Sequence, residues 1–212
     1  MIPHDKIWKR PDEAYFEYVA LAKTHSPEEI EFNGNYKHIR ELRDLSTFAL
    51  TMYAASGTVL YVQMNTLSKS PDGFLMDPGD PEELSAKIVP VELTFYGRSK
   101  VGLPDESLAD RLNKKRGKFQ KLPDKYWLLV HVGTGLKVDH QEVADKLHAL
   151  SPKFLVFSIQ ELAHSPDTIS RLVIYEPDAK FKDVNIGEAA AKLSKTKLPG
   201  TITQIWGRPS TT

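Results

Sequence analysis

The stretch from Ala86 to Val132 constrains the fold most, because it reads strand, then basic helix, then strand. In AKIVPVELTFYG the side chains alternate between two faces. Val89, Val91, Leu93 and Phe95 form an apolar face, and Ile88, Pro90, Glu92, Thr94 and Tyr96 form the other. Pro90 removes a backbone donor, which predicts an edge position or a bulge. The following segment predicts a helix capped by Asp105, with Leu108, Leu112 and Phe119 roughly on one stripe. Its exposed side carries Lys114, Lys115, Arg116, Lys118 and Lys121, and Gly117 weakens or ends the helix within that run. Tyr126–Val132 is nearly continuous in apolar residues, as a central strand covered on both faces requires.

Upstream, residues 11–24 predict a well-buried helix with Pro11 in its first turn, and Glu13 and Glu17 one turn apart on the same side. Ser26-Pro27-Glu28-Glu29 is a capping box that opens a short second helix. YKHIREL fits a strand or a helix. STFALTMY and TVLYVQMNT, flanking Ala54-Ala55-Ser56-Gly57, predict a β-hairpin, although Leu45, Phe48, Ala49 and Met52 also fit a helix over RDLSTFALTMYAAS. Residues 68–85 are rich in turn signals and read as a loop or lid insertion with one short helix. After Gly133-Thr134-Gly135, Asp139 and Glu142 open the helix HQEVADKLHAL; the strands KFLVFSI and ISRLVIYE, a short helix NIGEAAAKLSK and a last strand GTITQIW follow. The expected fold is a single α/β domain over residues 1–212, with α+β character in its first half. Its mixed β-sheet of about five or six strands is flanked by helices.

Lysine plus arginine and aspartate plus glutamate both number 28, so the formal net charge is zero. This argues against a protein that coats nucleic acid electrostatically, while leaving room for a local basic groove. Cysteine is absent, which excludes disulfides, iron–sulfur clusters and thiol nucleophiles. The first residues, MIPHDKIWKR, lack the apolar segment of a signal peptide, and no apolar run approaches the roughly 18 residues of a membrane span. A soluble cytoplasmic protein is expected.

Several candidate motifs carry little. Gly133-Thr134-Gly135 lacks the third glycine of a dinucleotide fingerprint, and no Walker lysine follows it. His131, His140 and His148 lack metal-ligand spacing and read as core or surface histidines. No serine sits in a nucleophile elbow. Glu92 with the Lys114–Lys121 run is the stronger pair. A lone strand glutamate ordinarily faces solvent or a lysine, and a basic helix face is ordinarily just solvated. The functional alternative is a carboxylate that binds a divalent metal while nearby ammonium groups hold a scissile phosphate, as phosphodiester hydrolysis needs.

The order of elements over about residues 11–176 resembles the restriction-endonuclease-like (PD-(D/E)XK) superfamily: helix, antiparallel strands, strand acid, basic helix, central apolar strand, helix, strand. That family's pattern is Pro-Asp, a gap, then an acid and a lysine two apart on one strand face. This chain offers Pro71-Asp72 and then Glu92-Leu93-Thr94, with Thr94 where the lysine would stand and Asp80 as the other candidate acid. The resemblance implies a restriction-endonuclease-like core in which Asp72 or Asp80 and Glu92 hold Mg²⁺. Lys114 or Lys115, migrated to the helix, would be the catalytic cation, and Glu13 or Glu17 the first-helix acid. It implies a metal-dependent nuclease, or alternatively an inactive scaffold that binds a protein partner or nucleic acid through Lys114, Lys115, Arg116, Lys118 and Lys121.

Overall fold

In a computed structural model, the structure describes residues 7–65, 70–79, 86–97, 102–115, 117, 121, 123–150, 155–163, 169–175 and 178–203. Asp80, Arg116, Lys118 and Phe119 lie outside the described residues. The chain begins with β1 (Trp8–Lys9), α1 (Pro11–Ala22), α2 (Pro27–Phe32), a 3-10 turn (Gly34–Tyr36) and α3 (Lys37–Ser56). It continues through β2 (Tyr61–Met64), β3 (Gly73–Asp77), β4 (Lys87–Tyr96), α4 (Leu108–Lys114), β5 (Trp127–Val132) and α5 (His140–Leu150). Then come β6 (Leu155–Ala163), β7 (Ile169–Tyr175), β8 (Ala179–Asn185), α6 (Ile186–Ser194) and β9 (Thr201–Ile202).

The strands form one mixed sheet in the order β8-β7-β6-β5-β4-β3-β2-β1-β9, nine strands among the described residues rather than five or six. Only β4–β5 and β5–β6 are parallel. Parallel neighbours need long crossovers, and α4 and α5 lie in these two connections. Leu108, Ala109 and Leu112 of α4 with Val143, Ala144 and Leu147 of α5 cover one sheet face, against Leu128, Val130 and Val132. On the other face Leu42, Leu45, Phe48 and Ala49 of α3 pack on Val62, Leu75, Val91, Leu129 and Phe157. The two-sided cover expected of β5 is present, whereas on β4 the face of Glu92, Thr94 and Tyr96 is the buried one and the apolar Val89, Leu93 and Phe95 are only half-buried. Trp127 is half-buried, its ring 6.1 Å from Phe48 and 5.1 Å from Phe157. Parallel β5 joins β4 only from Val91 onward, so Pro90 lies where β4 has β3 alone beside it.

Several sequence expectations need correction: α1, expected to be well buried, buries Pro11, Asp12 and Ala14 but leaves Phe16 42% exposed. Residues 37–56 form one helix instead of a hairpin, and the glycine taken for the turn, Gly57, caps its C-terminus at φ +78°. Residues 68–85 are not all loop, since Gly73–Asp77 are β3 inside the sheet, with Phe74, Leu75 and Met76 buried on both faces. The cap of α4 is Ser107, whose hydroxyl accepts from Asp110 N at 3.1 Å, and not Asp105. Ser107→Ala is expected to cost about 1 kcal/mol in urea denaturation; an unchanged midpoint would show that this cap contributes nothing. Among the described residues no helix is long and apolar enough to cross a membrane.

Candidate functional site

β3 accompanies β4 only as far as the Gly73–Val91 pair, whereas β5 runs beside β4 from Val91 to Tyr96. The C-terminal half of β4 therefore has β5 on one flank and, among the described residues, no strand on the other. The turn before β3 enters this gap. Asn65 anchors it, its N donating to Asp72 O at 3.0 Å and its Nδ2 to Pro71 O at 2.7 Å. Asp72 N donates to Val91 O, and Asp72 Oδ2 accepts from Leu93 N at 2.8 Å, so a carboxylate bonds where a strand backbone would. Ser70 Oγ donates to Glu92 Oε2 at 2.7 Å. Asp72, in the turn one residue before β3, is thus bonded to the residues on either side of Glu92. Glu92 is only 1% exposed, in contrast to the solvated glutamate that an isolated strand acid usually is.

The N-terminal half of α3 and the basic end of α4 close over the gap. They leave a cavity of about 540 Å³ whose lining includes Lys37, Glu41, Asp72, Thr94, Arg111 and Lys115. Lys37 Nζ lies 3.1 Å from Glu41 Oε1. That bond and the Glu41 charge raise the Lys37 pKa, with Asp72 and Glu92 adding to the rise. Burial raises the Glu41 pKa, and the charges of Asp72 and Asp44 raise it further against the pull of Lys37.

The other residues singled out by sequence are distributed differently. Glu92 stands behind the wall and does not line the cavity. Lys114 turns outward, its side chain 72% exposed and its Nζ 2.5 Å from Glu106 Oε2, whereas Lys115 faces the cavity. Lys121 is exposed. Glu17 pairs with Lys9 at 2.6 Å and Glu13 lies 3.7 Å from Arg10, and neither lines the cavity. The helical acid in that position is Glu41, which has no motif of its own to announce it.

A second cavity, of about 350 Å³, adjoins the first and shares Glu31, Phe32, Arg43 and Phe95 with it. Its floor is a buried charged cluster. Arg43 Nε donates to Asp44 Oδ1 at 2.9 Å, and His131 Nδ1 is 2.6 Å from the same oxygen. Arg43 Nη2 is also 2.8 Å from His131 Nδ1. Two donors cannot share a hydrogen bond, so the imidazole proton belongs with Asp44 and the guanidinium acts through its own bond to that carboxylate. On the other side of the ring, Glu161 Oε1 is 3.5 Å from His131 Nε2, and Thr134 Oγ1 donates to Glu161 Oε2 at 3.0 Å. Burial opposes protonation of His131, but Asp44 and Glu161 outweigh it and Arg43 together, and the pKa rises to about 9. Asp44 and Glu161 are correspondingly lowered despite their burial, held down by His131 and Arg43. One sign of this cluster is local: a histidine, His131, within an otherwise apolar strand.

Among the carboxylates of the described residues, Glu41 and Asp72 both line the cavity, and Glu92 does not. Among the described residues no three Asp, Glu, His or Cys side chains are grouped to hold an ion by themselves. Mg²⁺ at phosphoryl sites does not need such a cage. It is bound by one or two carboxylates and completed by water and substrate phosphate, and carboxylates such as Glu41 and Asp72 are donors of that chemical kind. No family model matches the chain, no curated protein matches it, and no solved structure matches it.

Proposed function

We propose that the chain is a divergent metal-dependent nuclease with a restriction-endonuclease-like core. One observation carries the reading: Asp72 reaches the cavity beside Glu41 and Lys37 at the place where the sheet opens, with Glu92 on the next strand. The element order supports it. α3, the antiparallel run β2–β3–β4, α4 and parallel β5 follow the helix, three strands, helix, strand order of that superfamily's core. Asp72 and Glu41, backed by Glu92, would hold Mg²⁺, which when bound neutralises charge on phosphate oxygens and activates water. Thr94 occupies the motif-lysine position and carries no charge. Lys37 supplies the ammonium from α3 instead, while Arg111 and Lys115 hold the flanking phosphates from α4.

Incubating the protein with plasmid and single-stranded DNA in Mg²⁺ or Mn²⁺ tests this. Cleavage is expected, with chelator or Asp72→Asn abolishing it and Lys37→Gln slowing it about 100-fold. Absence of cleavage in either metal would defeat catalysis. A second reading, an inactive nucleic-acid-binding module, is favoured by Glu92 lying outside the cavity lining. In that case wild-type protein binds without cutting, Asp72→Asn leaves affinity intact, and Lys115→Gln lowers the logarithmic salt slope by about one on duplex DNA.

A further inference from the structure

The two adjoining cavities differ in charge, and the difference matches the two halves of a nucleotide. Lys37, Arg40, Arg43, Arg111 and Lys115 outnumber the four acids of the first cavity, before any metal is added. The second cavity has Glu28, Glu31 and Glu161 against Arg43 and His131, which does not favour a phosphate. Its walls are aromatic instead. Tyr18 of α1 and Phe32 of α2 stand half-buried across from Phe95 at the end of β4.

Tyr18 and Phe95 are each held by a neighbour that also lines the cavity. Arg43 lies 5.3 Å from the centroid of Tyr18. The Phe95 ring meets His131 edge-on, with centroids 5.4 Å apart, and rests over Gly97, where an added Cβ would strike it. His131 itself is 3% exposed and lines this cavity. Its Nε2 has no hydrogen-bond partner among the described residues, because the 3.5 Å to Glu161 is an ion-pair distance. The ion pair with Glu161 leaves the hydrogen-bonding direction of this buried nitrogen unfilled.

We infer that the second cavity is a nucleobase pocket: it receives one unpaired base, stacked on Tyr18, Phe32 and Phe95 and contacted by His131 Nε2, while the attached phosphate lies in the first cavity. The inference rests on the nuclease reading and narrows its substrate to single-stranded nucleic acid, or to an unpaired nucleotide within a duplex. A paired base cannot present its face and its edge to such a pocket together.

Fluorescence anisotropy with a labelled single strand and the matching duplex, in chelator so that nothing is cut, reads the proposal. The single strand should bind more tightly. Tyr18→Ala should weaken it about 5- to 150-fold, the range of one lost base stack, without changing the salt slope, and should leave duplex binding unaltered. Tyr18→Phe, which keeps the ring and its packing under Arg43, should bind as wild type does, which separates stacking from misfolding. If both DNAs bind equally and Tyr18→Ala is silent, the base pocket is wrong while the nuclease reading stands. Absence of binding to either DNA at low salt would overturn both.

Discussion

Asp44→Ala is expected to destabilise the protein by about 3–5 kcal/mol, the range for removing one partner of a buried ion pair. Asp44 is 6% exposed and its Oδ1 accepts from both Arg43 and His131. Without it two buried cations face each other, with Glu161 3.5 Å from the imidazole and Glu31 3.6 Å from the guanidinium as counter-charges. The loss would appear as a lower urea midpoint with an unchanged slope. A change below about 1 kcal/mol would mean that water reaches the cluster and solvates what is left.

The same cluster makes stability depend on pH in a set direction. His131 holds its proton more tightly in the folded chain than in the unfolded one, with a pKa of about 9 against 6.5. Its contribution is therefore complete below about pH 6.5 and is lost as pH rises through about 9, amounting to about 3 kcal/mol. Asp44 and Glu161 act in the opposite sense. Their folded pKa values are depressed, so their contribution is present above the ordinary carboxylate range and is lost as pH falls through the lowered values. Stability should peak in mildly acidic solution and decline toward pH 9.5. Urea denaturation at pH 6 and pH 9.5 measures the decline, and His131→Gln, which cannot titrate there, should remove most of it. An equal decline in that variant would assign the effect to other groups.

Local pattern revealed those parts of the fold whose chemistry is contiguous. β4 and β5 were readable because alternation and unbroken burial each occupy one short segment, and the capping box at Ser26 was readable because its bond to Glu29 N spans three residues. α3 was misread because a glycine at positive φ closes a hairpin and a helix equally well, and Leu45, Phe48 and Met52 suit either period. β3 was hidden because its five residues lie between turn formers, and only its neighbours β2 and β4 make it a strand.

For the site, residue type pointed to Asp72 and Glu92; Asp72 lines the cavity and Glu92, buried beside it on β4, does not. Glu41 and Lys37 were not evident because nothing around them distinguishes a cavity-facing helix turn from a solvated one. The cluster around His131 is further still from local signals, since Asp44 and His131 are 87 residues apart and only the packing of α3 on the sheet joins them. Lys114 and Lys115 show the limit at its finest. Adjacent on the chain and alike in charge, one faces Glu106 and the other faces the cavity.

The gap beside β4 has a different kind of origin from the side chains that line it. It exists because β3 stops five residues short of the end of β4, with Asp72 taking over the bond to Leu93 N. Substitution can change what the cavity binds but leaves the opening itself in place, because no side chain creates it. A lengthening of β3 would close it: two added strand residues would zip along β4, take over the Leu93 amide and expel the carboxylate. Point substitutions in the lining would therefore alter the charge of the cavity and leave its shape, whereas one short insertion before β3 would remove it.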